Sequence, residues 1–536
     1  MSSRQRCARA FAAFLAAALA TVSTGAATAC AASGRTPAVA TTGGATVRTD
    51  AGSIRGRITG DQRLFRGIPY AAPPVGALRW ASPEPVHPWT GTRQATEAAP
   101  RCAQNAEQGA ASDAEDCLYL NVTTPARTDA RHPLPVLVWV HGGGFFGGAG
   151  SDYDARRLAV RGRAIVVTVN YRLGVFGFFA HPALGRDGGD FGLEDQMAAL
   201  RWTRRNAAAF GGDPRNVTLS GQSAGAFSTC ALLTAPAAKG LFDKAIVQSG
   251  SCSVNYPKNG LAPGLPPYTP LMPREFAETF GKQSAAALGC ATAADVLACL
   301  RKTPVNKLLP MTQRFAFPAY GTKVLPRRPA DVLSGGDARP VPMIVGHNRD
   351  EMRLYVSAAQ AQQPIDAARY RELLQDTFGA DATRAERAYP ASDAVAPALA
   401  WANVLTDRGW ACPTRDDERT LARRAPVYAY EFADRDAPSV TPPTEGFPMG
   451  AAHGSELPYL WTPGRFTAAQ QKLSDDMIRY WTAFARTGDP NQKGLPAWPR
   501  FDGRNGRTQS LAPGPHGIRS VDLTSARHCD LWAKTS

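Results

Sequence analysis

Apolar positions along this chain cluster into short runs that carry no polar face. Leu134–Val140 reads Leu-Pro-Val-Leu-Val-Trp-Val, and 164–169, 217–220, Lys244–Gln248, 341–345 and Val427–Phe432 are built alike. Runs without alternation are apolar on both sides, as strands buried in a mostly parallel sheet must be. Helix-like stretches lie between or after them, at 193–210 and 474–486. This alternation predicts an α/β architecture with right-handed crossovers. A length of 536 residues alone would suggest several domains. The strand-like runs recur from 134 to 432 without a linker, so one domain over 47–536 is expected instead. Nearer the start, 47–70 alternates in shorter steps between glycines, which predicts a small antiparallel sheet. Residues 253–335 and 355–425 are rich in Ala, Arg and Pro. They are expected to be helical insertions that wall a pocket.

The first 31 residues follow a different logic. Arg4, Arg6 and Arg9 precede an apolar stretch from Ala10 to Val22, and small residues then run to Ala31. That is the pattern of a signal peptide. The Ala-, Thr- and Gly-rich segment 32–46 reads as a flexible leader. Secretion is the expectation. Its alternative is a surface lipoprotein anchored through Cys30, because Ala27-Thr28-Ala29-Cys30 loosely resembles a bacterial lipobox with Ala in the usual Leu position. No later run reaches 18 apolar residues, so no transmembrane segment is expected.

Export changes the reading of the cysteines. With Cys7 removed and Cys30 set aside, eight remain, an even set that suggests disulfides in an oxidising compartment. No C-x-x-C pair and no H-E-x-x-H occurs, so neither a metal nor another cofactor is expected. The balance of 60 Lys+Arg against 45 Asp+Glu gives a net charge of +15. These cations are mostly Arg and are spread along the chain without a basic run, so a nucleic-acid partner is not expected.

Three local patterns carry chemistry. Gly221-Gln222-Ser223-Ala224-Gly225 follows a strand-like run and precedes a helical one, the setting of a serine held on a sharp strand-to-helix turn. His141-Gly142-Gly143-Gly144-Phe145 follows the strand Leu134–Val140. Consecutive glycines leave backbone N–H groups free to point at one oxygen, and the N–H of Ala224 would add a third donor. In this architecture the acid and then the base follow the nucleophile. Asp350 and Glu351 lie just past a strand-like run, and three histidines come later: His453, His516 and His528. His453 sits among small residues that would let two partners reach its ring, whereas His516 reads as an exposed turn and His528 as packed near the C-terminus. The spacing leaves His453 only modestly ahead.

Many ordered motifs resemble the type-B carboxylesterase/lipase family, the cholinesterase-like branch of the α/β-hydrolases. They include Phe65-Arg66-Gly67-Ile68-Pro69-Tyr70, Glu115-Asp116-Cys117-Leu118-Tyr119-Leu120-Asn121, Phe191-Gly192-Leu193-Glu194-Asp195-Gln196 and Phe210-Gly211-Gly212-Asp213-Pro214. The resemblance runs from Val47 to the end. It implies an α/β-hydrolase fold with a large, mostly parallel central sheet flanked by helices. It also implies Ser223 as nucleophile, Glu351 as acid and His453 as base, with Gly143, Gly144 and Ala224 as an oxyanion hole. Ser249 would support the acid–base pair, with Gln222 beside the nucleophile. Cys102–Cys117, Cys290–Cys299 and Cys412–Cys529 are the implied disulfides, with a salt bridge between Arg79 and Glu115. Cys230 and Cys252 have no implied partner; they pair with each other or stay buried thiols.

Departures narrow the expected substrate, a small-molecule ester. Gln222 stands where the family usually has Glu, and Met352 follows Glu351 where it usually has Gly. The loop between Cys102 and Cys117 is short and has no Trp, so choline recognition is not implied. A base must be neutral to act, so activity is expected to fade below about pH 6. The alternatives are an amidase or lactam-cleaving hydrolase on the same triad and a non-catalytic, adhesion-type binding protein. The sequons at Asn121 and Asn216 read as incidental. Natural substrate, acyl preference and oligomeric state are not encoded in any motif.

Overall fold

The computed structural model describes residues 45–533 apart from 130, 393–394, 442–444, 463 and 504–505. The signal-peptide segment, Cys7 and Cys30 lie outside the described residues.

An eleven-stranded sheet forms the centre. In chain order its strands are β1 (Arg57–Thr59), β2 (Gln62–Pro69), β3 (Tyr119–Pro125), β4 (Leu134–Val140), β5 (Ile165–Val169), β6 (Gly212–Gln222), β7 (Lys244–Gln248), β8 (Met343–Asn348), β9 (Val427–Phe432), β10 (Arg507–Leu511) and β11 (Arg519–Asp522). Their spatial order is β11-β10-β9-β8-β7-β6-β4-β5-β3-β2-β1. The run from β5 through β10 is parallel throughout, and the two edges are antiparallel. This is an α/β-hydrolase sheet.

Apolarity on both sides has a direct structural counterpart. Every residue of β4 is buried. Val136, Val138 and Val140 enter one core, while Leu137 and Trp139 enter another on the opposite face. Helices cover both faces: α1 (Phe191–Asn206), α2 (Ala224–Thr234), α3 (Arg353–Gln362), α4 (Pro397–Thr406), α5 (Cys412–Ala422) and α6 (Ala468–Thr487). Leu193, Leu200 and Ala231 fill the first core, and Tyr480, Trp481 and Phe484 the second. Each large apolar side chain such as Leu193 or Phe484 taken from water is worth roughly 1.5–3 kcal/mol. Among the described residues no helix is long and apolar enough to cross a membrane.

Several expected boundaries move. Strand β6 spans Gly212–Gln222, well beyond 217–220, and carries the chain to the residue before Ser223. The helix expected over 193–210 is α1 followed by a tighter turn at Ala207–Phe210. The first strand begins at Thr46, the last residue of the expected leader. Within 47–70, Ser53–Arg55 pairs antiparallel with Thr46–Arg48 and β2 antiparallel with β1; the small sheet's third strand, Thr92–Gln94, lies beyond this segment and pairs parallel. The remainder of that segment, β1 and β2, joins the large sheet. Alternation reports one wet face and cannot say which sheet a strand will join.

Candidate active site

Strand β6 ends in a turn that only small residues can make. Ser223 sits at its apex, ahead of α2, with φ 55° and ψ −121°, a region L-residues occupy only when the surroundings hold them there. The Ser223 N–H donates to the carbonyl of Gln248 on the neighbouring strand, 3.0 Å away. Gly225 shows why the turn is glycine-rich. A Cβ there would lie 2.0 Å from the Val140 carbonyl oxygen.

The glycine loop after β4 packs onto this turn. An added Cβ on Gly142 would come within 3.1 Å of the Ser223 Cβ. Gly143 takes φ 97°, and its carbonyl accepts from the N–H groups of Phe146 and Gly147, which closes the loop. A side chain at Gly143 would strike the Gly147 carbonyl. The N–H groups of Gly143, Gly144 and Ala224 donate to no other described residue. Gly143 and Gly144 are partly exposed and Ala224 is buried, so these N–H groups are open to an acceptor from outside the chain. His141 anchors the start of the loop: its ring stacks 4.5 Å from Tyr171, and its Nδ1 donates to the Gly142 carbonyl at 2.7 Å. Burial pushes its pKa down to about 4, so it stays neutral.

The candidate acid and base arrive from distant segments. Glu351, fully buried, follows β8. Its Oε2 lies 2.6 Å from the Nδ1 of His453, and its Oε1 accepts the backbone N–H of Asn348 at 2.7 Å. The other ring nitrogen of His453, Nε2, faces the Nε2 of Gln222 at 3.2 Å. Asp350 is committed elsewhere, to Arg435 at 2.8 Å, Arg353 at 3.1 Å and the N–H of Ala451 at 3.0 Å. Of the two candidate acids, only Glu351 meets the histidine. His516 lies on an exposed turn. His528 is exposed rather than packed, although its ring touches Tyr389 at 4.9 Å. Ser249 is buried at the end of β7 with φ 54°, its N–H on the Gly346 carbonyl at 2.8 Å. Its hydroxyl has no hydrogen-bond partner among the described residues and does not reach Glu351.

Three residues around the acid and base escaped the sequence reading. Asn348 joins Glu351 to a second buried carboxyl: its side-chain amide donates to Glu456 at 2.7 Å while its backbone holds Glu351. Burial, and then the charge of Glu351, push the Glu456 carboxyl above its ordinary range. Glu456 also accepts from Gln248, whose carbonyl oxygen accepts from Trp481. Trp410 is the third. A π-helical turn at Asp407–Ala411 joins α4 to α5 and delivers its indole to the site. The ring lies 5.1 Å from His453 and 5.9 Å from Phe227 on α2, and its N–H meets the Met352 sulfur at 3.1 Å. Nothing in a single sequence marks a π-helical turn. Glu456 was visible only as the acidic residue of His453-Gly454-Ser455-Glu456.

Disulfides brace the surroundings. Cys102–Cys117, Cys290–Cys299 and Cys412–Cys529 are all formed, and Cys230 pairs with Cys252. The last ties α2 to the loop beyond Ser249. Arg79 pairs with Glu115 through two parallel contacts. Among the described residues no cluster of His, Cys, Asp and Glu could hold a metal ion.

Comparison with known proteins gives a consistent picture. Residues 43–532 match the carboxylesterase family. The chain is 36% identical over 487 residues to fumonisin B1 esterase of Sphingopyxis macrogoltabida, covering 85% of this chain and 84% of that one. It is 34% identical over 477 residues to para-nitrobenzyl esterase of Bacillus subtilis (strain 168), covering 85% and 92%. A solved PNB esterase structure superposes with a TM-score of 0.75 at 32% identity, covering 91% of this chain and 99% of that one.

Proposed function

The chain belongs to the carboxylesterase family, and from that premise we propose that it cleaves carboxylic esters through an acyl-enzyme intermediate, with Ser223, Glu351 and His453 as its triad. The observation that carries this reading is the pair of contacts on one ring. Glu351 holds Nδ1 of His453, which leaves the lone pair of Nε2 facing the turn that bears Ser223.

The steps then follow from proton positions. His453 Nε2 takes the Ser223 proton as Oγ bonds to the ester carbonyl carbon, whose oxygen becomes an oxyanion. The free N–H groups of Gly143, Gly144 and Ala224 stabilise that charge. The C–O bond to the alcohol breaks, and the alcohol leaves with the proton from His453. Water then repeats the sequence, giving its proton to His453 and freeing the acid and Ser223. Glu351 stabilises the imidazolium at each stage without becoming protonated itself.

Four disulfides favour an oxidising compartment, which supports secretion as the setting of this activity. The test is turnover of p-nitrophenyl acetate and butyrate by the protein and its Ser223→Ala variant. Rapid hydrolysis lost in the variant is expected. Equal hydrolysis by both would dismiss Ser223 as nucleophile, and no hydrolysis by the folded parent would favour a binding role.

A further inference from the structure

The base in this site is met on its working face by a neutral carboxamide, and the direction of that hydrogen bond can be deduced. His453 Nδ1 is 2.6 Å from the Glu351 carboxylate, which only accepts, so Nδ1 carries the proton. Nε2 then carries the lone pair. The group 3.2 Å from it, Nε2 of Gln222, must donate. Both side chains are buried, Gln222 at 4% and His453 at 3% exposure, so water does not readily replace the bond.

Resting on the triad reading above, the geometry points to Gln222 as a positioning residue that holds His453 neutral, with its lone pair on Nε2, until Ser223 delivers a proton. Once Nε2 is protonated, it and the carboxamide N–H are both donors, and the bond survives only if the amide turns over to present its oxygen. In the orientation seen, the neutral ring keeps a hydrogen bond that the imidazolium gives up, and the acid limb of the rate profile is thereby held at lower pH. The family resemblance implies a glutamate at this position. An anion there would act with the opposite sign, attracting the imidazolium.

The other groups around the ring are accounted for. Glu351 faces Nδ1. Glu456, three residues further along, is buried and engaged by Asn348 and Gln248. The Tyr355 ring on α3 lies 6.0 Å away, with its phenol pushed up by burial. Trp410 closes a further side with an uncharged ring. Among these, Gln222 is the group whose bond depends on whether Nε2 is bare.

The experiment is the pH dependence of kcat/KM for p-nitrophenyl acetate in the parent, Gln222→Met and Gln222→Glu, beside Ser223→Ala. Methionine keeps the length and removes the donor. The acid limb is expected to rise by about half to one pH unit, the equivalent of one neutral hydrogen bond. Glutamate nearly preserves the shape and is expected to raise the limb further. A side chain that merely filled space would lower the plateau without moving the limb. An unmoved or lowered limb in either folded variant overturns the role of Gln222 and leaves the triad reading intact. A parent with no acid limb, or turnover surviving in Ser223→Ala, overturns both.

Discussion

The two halves of the site are built in different ways. On the nucleophile side, β6, Ser223, α2 and the loop at 141–144 are local: strands end, glycines turn, and backbone N–H groups are left over. On the acid–base side, Glu351, His453, Asn348, Glu456 and Trp410 come from segments far apart in the chain. They are held by side-chain hydrogen bonds and ring contacts inside a closed core. The first half depends on backbone conformation, the second on tertiary packing. Damage to the first should therefore act on chemistry almost alone. Damage to the second should mix chemistry with stability.

The largest effect belongs to Ser223→Ala, which removes the proposed nucleophile and should lower kcat by about 10⁵-fold or more with little change in Tm. Steady-state kinetics with a thermal melt checks both parts. On the other half, Glu351→Gln should lower kcat by about 10⁴-fold, because a carboxamide neither fixes the tautomer nor stabilises the imidazolium. A fall of only a few-fold would show that Asp350 or Glu456 takes over. Gly143→Ala places a Cβ against the Gly147 carbonyl at a positive φ. It should cost about 10²–10³-fold in kcat, the value of one oxyanion donor. KM should change less than kcat. Trp410→Phe retains the ring and loses the N–H to the Met352 sulfur, so it should lower kcat several-fold and Tm by a few degrees together.

The last expected effect concerns stability and pH rather than rate. Burial lowers the pKa of His347 on β8 to about 4 from 6.5; among the described residues neither ring nitrogen has a hydrogen-bond partner, the Glu431 carboxylate standing off at 3.8 Å. Between those values the unfolded chain binds a proton that the native chain does not, so stability falls as pH drops through the window. The loss from this group approaches roughly 3 kcal/mol near pH 4. Asp190 and Asp407, both pushed up to about 7 by burial, act with the opposite sign and weaken the fold as pH rises towards 7. Comparing His347→Leu with the parent isolates the first contribution. Melts across the same pH range should show a smaller decline in Tm for the variant.

The same division explains what could be read before any fold was known. Strand β4, the turn at Ser223 and the glycine loop are written in consecutive residues, so apolar runs and short motifs located them. Lys244–Gln248 and Val427–Phe432 matched their strands end to end because every residue in each is buried. Glu351 and His453 needed the family resemblance, since spacing could not separate Glu351 from Asp350 or settle which histidine serves. The structure separates them by packing: two arginines hold Asp350, and a buried ring holds Glu351. Trp410 was illegible because its place depends on a single extra residue in a helical turn. Pairing of Cys230 with Cys252 was left open because two cysteines in sequence carry no distance.

The central claim is that Ser223 becomes acylated with the help of His453. The most direct measurement is rapid mixing with p-nitrophenyl acetate, followed by acid quench and mass analysis of the active-site peptide. A burst of one nitrophenol per enzyme and an acetyl group on Ser223 are expected, with neither seen in Ser223→Ala and slow acetylation in His453→Ala. An acetyl group on another residue, or a burst that persists without Ser223, would contradict it.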